Sequence, residues 1–187
     1  MNLNESVRNE MLSCISESAD VISAPPKMNK RPSDATEWTF ADWFGEDLTG
    51  KTYDGDITCW HDDVTSLKGA PKEVTGDFNF YDNELASLEG GPEKVGRDFA
   101  VYFNSITSLK GAPKEVGRHF YCASNMIVSL EGAPEKVNGD FNCSYNRLTS
   151  LMGAPKKVGG DFSCVGNPLK SHDHAPDEVC GRSMYEA

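Results

Sequence analysis

The sequence predicts an α/β repeat solenoid: a stack of short coils with a parallel β-sheet on its concave face and a small helical cap at the N-terminal end. Three observations carry this. From Gly55 to Val179 the chain repeats itself every 21 residues without a slip of register, and a fixed short period marks a solenoid. An apolar column (Ile57, Phe78, Phe99, Phe120, Phe141, Phe162) is followed two residues on by Cys59, Phe80, Val101, Cys122, Cys143 and Cys164, and five residues on by Asp62, Asn83, Asn104, Asn125, Asn146 and Asn167. Leucine, proline and valine columns close each unit, the last running through Val74, Val95, Val116, Val137, Val158 and Val179.

The elements follow in chain order. Residues 1–32 read as an amphipathic helix and a linker: Leu3, Val7, Met11, Cys14, Ile15 and Ile22 fall at near-helical spacing, and Ala24-Pro25-Pro26 cannot continue a helix. Residues 33–54 read as a cap. Thr39 with Asp42 three residues later predicts a capping box, and Gly45 can end the short helix it opens. Trp38, Phe40, Trp43 and Phe44 give that helix more apolar surface than it can bury alone, and the first coil of an open solenoid must be covered. Residues 55–179 are the array. The tail 180–187, with the stretch from His172 before it, loses the leucine and reads as a degenerate last turn.

Within a coil, Asp140–Ser144 illustrates the expected strand, with Phe141 and Cys143 inward. Asn146 stands where the chain must turn, so that its amide can satisfy backbone groups of the bend and of the neighbouring coil. Leu148 and Leu151 point inward again, and Gly153-Ala154-Pro155 makes a second corner. The pattern V-x3-F-x-C-x2-N-x-L-x2-L-x-G-A-P resembles a leucine-rich repeat, above all the short bacterial and phage repeats that include secreted effectors with an LPxLPxxL signature. This sequence departs from those in its 21-residue unit, in Phe at the strand leucine and in Gly-Ala-Pro where they have Leu-Pro. The resemblance implies a curved solenoid whose concave sheet binds proteins, and it brings no catalysis with it.

The two faces of such an array differ in composition. On the convex side Lys68, Glu89, Lys110 and Glu131 alternate in sign, as do Lys72, Glu93, Lys114, Glu135, Lys156 and Asp177, while Glu73, Lys94, Glu115 and Lys136 run in opposite phase. Stacked coils then place unlike charges together, which fixes register more than it adds stability. The concave side collects the candidate partner-binding residues Trp60, Asp77, Tyr81, Asp82, Asp98, Tyr102, Phe103, Tyr121, Asp140 and Tyr145. Aromatic rings beside fixed carboxylates have the composition of a contact patch.

Composition narrows the function. A net charge of −11 argues against direct nucleic-acid or anionic-membrane binding and favours a basic protein partner. Four of the six cysteines lie in an inward column and read as core thiols, which fits a reducing cytoplasm, that of the host if the source is viral. Gly45 to Thr52 matches the phosphate-loop pattern GxxxxGK[ST], but no apolar strand precedes it and no helix pattern follows. His172, His174 and Cys180 fall short of a zinc set, and no nucleophile is paired with a base. The expectation is a non-enzymatic module without cofactor or metal, an adaptor or inhibitor, such as an inhibitor of a host or defence enzyme. A DNA-mimic inhibitor and a nucleotide-binding enzyme using the 45–52 loop are the alternatives.

Overall fold

A computed structural model of the chain describes residues 29–185. The amphipathic segment read over residues 2–22 lies outside them. One helix, α1 (Phe40–Phe44), precedes the strands. In chain order these are β1 (Thr52–Tyr53), β2 (Ile57–Trp60), β3 (Glu73–Val74), β4 (Phe78–Tyr81), β5 (Lys94–Val95), β6 (Phe99–Ala100) and β7 (Glu115–Val116). Then come β8 (Phe120–Tyr121), β9 (Lys136–Val137), β10 (Phe141–Asn142), β11 (Lys157–Val158), β12 (Phe162–Ser163), β13 (Glu178–Val179) and β14 (Ser183–Met184). Odd and even strands form two separate seven-stranded sheets. Every pairing is parallel, and Phe78 lies opposite Phe99 as Val74 lies opposite Val95.

The molecule is therefore a parallel β-solenoid of about six turns with a 21-residue spacing, and its one described helix is five residues long. The single expected sheet is corrected to two. Each Val of the valine column turns inward, and the charged residues before it meet in register, unlike in Glu73–Lys94, Lys94–Glu115 and Lys157–Glu178 but alike in Lys136–Lys157. The second sheet thus carries part of the charge ladder. Its contacts and those beside it include Lys94–Glu115 at 3.4 Å, Lys156–Glu135 at 3.2 Å and Lys157–Glu178 at 2.6 Å, all exposed and individually weak.

Between the sheets lies a linear core. Phe78, Phe99, Phe120, Phe141 and Phe162 are fully buried, with neighbouring ring centroids 5.1–5.9 Å apart. Cys122, Cys143 and Cys164 stack beside them, and all five cysteines among the described residues are free thiols. The asparagine column spans coils. Asn146 Oδ1 accepts the Ile127 N–H at 3.0 Å, while its Nδ2 donates to the carbonyls of Cys122, Cys143 and Ser144. Asn83, Asn104, Asn125 and Asn167 likewise accept from Val64, Leu85, Ile106 and Leu148. A buried amide with both ends occupied closes the backbone polar groups that each bend leaves open.

The first coil replaces this asparagine by Asp62, for a readable reason. Its neighbour is the cap and not another coil, and Asp62 Oδ2 accepts the indole N–H of Trp43 at 3.1 Å. Thr39 and Asp42 form the capping box, and Gly45 ends α1 at φ 84°. Phe40 and Trp43 are fully buried against the first coil, which the Phe40 N–H joins through the Ser66 carbonyl at 2.8 Å. At the other end the array runs past Val179: β13 and β14 extend both sheets. Ser183 takes the phenylalanine position there, and Tyr185 packs on Phe162 at 5.9 Å.

A candidate protein-binding face on the even-numbered sheet

Alternation along β2 and β4 sends Ile57, Cys59, Phe78 and Phe80 into the core and Thr58, Trp60, Asn79 and Tyr81 outward. On this outer side the structure builds a second, smaller apolar cluster. Ala100, Tyr102 and Ala123 are 1–2% exposed, and Tyr81, Phe103 and Tyr121 pack around them. The two alanines make room for rings: in register, Ala100 faces Tyr121 on β8 and Asn79 on β4. Tyr81 stacks on Tyr102 at 5.0 Å and Phe103 meets Tyr102 edge-on at 5.6 Å.

Tyr102, expected to point to solvent, is thus buried, and this is a correction. Burial pushes its hydroxyl well above the usual tyrosine value, with Tyr81 and Tyr121 nearby adding to the effect. Among the described residues that hydroxyl has no hydrogen-bond partner, and neither has the buried Oδ1 of Asn79 on the same side of the sheet. Trp60 remains open at 56% and Tyr145 at 38%. Tyr121 and Phe103 are half-buried.

One residue before each asparagine the backbone enters the left-handed region, from His61 (φ 57°) through Asp82 (55°), Phe103 (55°), Ser124 (54°) and Tyr145 (54°) to Gly166 (70°). Sequence reading missed this column because its side chains vary, although its fixed place before the asparagine was visible. Asp and Ser tolerate such backbone moderately and Gly freely; an aromatic residue there is strained by about 1 kcal/mol or more. Phe103 and Tyr145 hold rings at the sheet margin despite that cost. The Tyr145 ring lies where a side chain on Gly166 would have to go.

The aspartate column has a structural task that sequence reading did not assign to it: one oxygen of each carboxylate accepts the backbone N–H of its equivalent one coil later. Asp56 takes that of Asp77 (2.6 Å), Asp77 that of Asp98 (3.0 Å), Asp98 that of His119 (3.2 Å), Asp140 that of Asp161 (2.8 Å) and Asp161 that of Arg182 (2.7 Å). His119 keeps the ladder whole, its Nδ1 accepting the Asp140 N–H at 2.9 Å. The same Nδ1 lies 3.3 Å from Asp140 Oδ2, and the His119 ring stacks on Tyr121 at 5.4 Å. Burial raises the Asp77 carboxyl above its ordinary value, whereas the hydrogen bond from the Arg182 backbone, and then the guanidinium, lowers that of Asp161. Asp82 lies apart from this column and is 2.9 Å from His61 Nε2.

The 45–52 loop runs from a helix into a strand, the reverse of the order a phosphate loop requires. Lys51 Nζ is held by Glu46 at 2.6 Å. Among the described residues no group of three His, Cys, Asp or Glu side chains could hold a metal, and no helix is long and apolar enough to cross a membrane. No protein-family model, no curated protein and no solved structure matches the chain.

Proposed function

We propose that this chain is a leucine-rich-repeat-type solenoid that binds another protein without catalysis, acting as an adaptor or as an inhibitor by occlusion. The observation that carries the reading is the apolar cluster on the outer side of the even-numbered sheet. Trp60 and Tyr145 stand exposed around it, and Tyr81, Phe103 and Tyr121 are half-buried at its edge, which gives an outer sheet face the aromatic composition of a contact patch. Trp60, Tyr81, Phe103, Tyr121 and Tyr145 form the contact, Tyr102 is its floor, and the acidic balance of the chain favours a basic partner. Mimicry of nucleic acid draws less support, because the aspartates are already taken up by backbone amides. An inhibitor of a host or defence enzyme remains one form the activity can take.

The test begins with capture of the partner on immobilised protein from the source cells. The purified partner is then titrated against wild type, Trp60→Ala and Tyr81→Ala, with circular dichroism confirming the fold. Affinity about tenfold lower for either substitution supports the assignment. Affinity unchanged by both, but abolished by Lys110→Glu and Lys156→Glu, moves the contact to the charge ladder.

A further inference from the structure

The ladder that joins coil to coil has one member unlike the rest. At Asp56, Asp77, Asp98, Asp140 and Asp161 the group that accepts the next coil's N–H is a carboxylate, which when ionised can only accept. Between Asp98 and Asp140 the same task falls to His119. Its Nδ1 lies 2.9 Å from the Asp140 backbone nitrogen and 3.3 Å from Asp140 Oδ2, so a single ring atom faces both a donor and an acceptor of one residue. Gly139 leaves room for the ring, since a Cβ there would come within 2.7 Å of Nδ1.

The two partners call for different protonation states. A neutral imidazole with its proton on Nε2 accepts the Asp140 N–H through Nδ1, whereas in an imidazolium both nitrogens donate. Protonation therefore sets two N–H groups against each other and leaves Asp140 Oδ2 as the partner within reach. Among the described residues the charged groups around the ring are Asp140, Asp98 and Arg118: Asp98 Oδ1 accepts the His119 N–H at 3.2 Å, and Arg118 Nε lies 3.5 Å from that oxygen. Tyr121, the remaining titratable neighbour, is tied to the exchange twice. Its ring stacks on His119 at 5.4 Å, and its hydroxyl donates to the same Asp140 Oδ2 at 3.4 Å. Histidine is the side chain whose charge ordinarily changes between about pH 5 and 8.

We propose that His119 is a pH-operated latch between two coils. Neutral, it holds the Asp140 N–H and the ladder is continuous; protonated, it releases that N–H, turns its Nδ1 proton to the Asp140 carboxylate and draws Tyr121 out of its present contacts. Through Tyr121 the latch makes the outer face of the even-numbered sheet sensitive to pH. It is a property of the free protein and does not rest on the protein-binding reading above.

The test is NMR of the full chain, titrated with acid from about pH 8 to about pH 5.5. Chemical shifts of the ring nitrogens report the state of Nδ1 and Nε2, the Asp140 amide proton reports the hydrogen bond, and the Tyr121 ring protons report the stack. His119→Asp restores the carboxylate of the column and is titrated alongside. The expected result is a ring protonated on Nε2 alone at the alkaline end. As it gains its second proton, the Asp140 amide proton moves upfield and the Tyr121 ring signals shift with the same midpoint, while in His119→Asp both stay in place across the range. A proton on Nδ1 at the alkaline end overturns the latch, as does an Asp140 amide or a Tyr121 ring that stays in place while the imidazole titrates. The same movement in His119→Asp also overturns it, by assigning the response to the surrounding carboxylates. The wild-type titration decides the first three outcomes even if the variant does not fold.

Discussion

Replacing Tyr102 by Phe removes a single oxygen from the centre of the outer cluster. The ring contacts that hold the side chain, 5.0 Å to Tyr81 and 5.6 Å to Phe103, do not depend on that atom. The hydroxyl itself is buried and makes no hydrogen bond among the described residues. Folding therefore strips it of water without compensation, at a cost of about 1–3 kcal/mol. Part of this is recovered in the variant, so Tyr102→Phe is expected to be more stable than wild type by about 1–2 kcal/mol. For a chain of this size that raises Tm by roughly 2–8 °C. Urea denaturation followed by circular dichroism checks it, read as a shift in midpoint at constant slope because repeat arrays can lose two-state behaviour. An unchanged or lowered midpoint would refute the reasoning, showing that water or a rearranged neighbour already satisfies the hydroxyl.

Two further outcomes follow from the ladders. Asn146→Ala deletes four hydrogen bonds to two coils and strands the Ile127 N–H, while the Cys122, Cys143 and Ser144 carbonyls each keep another donor, so it should cost about 2–3 kcal/mol in the same assay; a loss below about 0.5 kcal/mol would mean that the column only fills space. Asp77→Asn keeps an acceptor for the Asp98 N–H but removes a carboxylate that burial disfavours. The folded-state pKa is raised, so the folded protein holds the proton more tightly than the unfolded chain, and charging Asp77 costs stability as pH rises through that value. Asp77→Asn should accordingly melt above wild type at pH 7 and level with it at about pH 3, below the ordinary carboxylate range. The opposite trend would show that the Arg97 contact outweighs burial.

Much of the solenoid was legible because a repeat puts the same side chain in the same surroundings coil after coil. The phenylalanine and asparagine columns each solve one problem, filling the core or closing a bend, and the recurrence announces the solution. The second sheet escaped notice because two-residue strands such as Lys94–Val95 are too short to show alternation; the valine column marked it only as a return to the core. Tyr102 was misread for a different reason. Outward positions of a strand are expected to be wet, and its burial depends on Ala100 and Ala123 leaving space on neighbouring strands, a relation that appears only when columns 21 residues apart are compared. The aspartates looked like a contact patch by composition, yet their recurrence had the same cause as that of the asparagines: a backbone N–H in the next coil.

Hydroxyl-radical footprinting of the protein alone and bound to its captured partner tests the central claim most directly, since aromatic and sulfur side chains report on both faces at once. Trp60 at 56% exposure and Tyr145 at 38% lie on the proposed contact, while Met152, 50% exposed, stands in the Lys68–Glu131 charge column. The account predicts strong protection of Trp60, Tyr121 and Tyr145 in the complex with Met152 unchanged. Protection of Met152 with Trp60 and Tyr145 as reactive as in the free protein would contradict it.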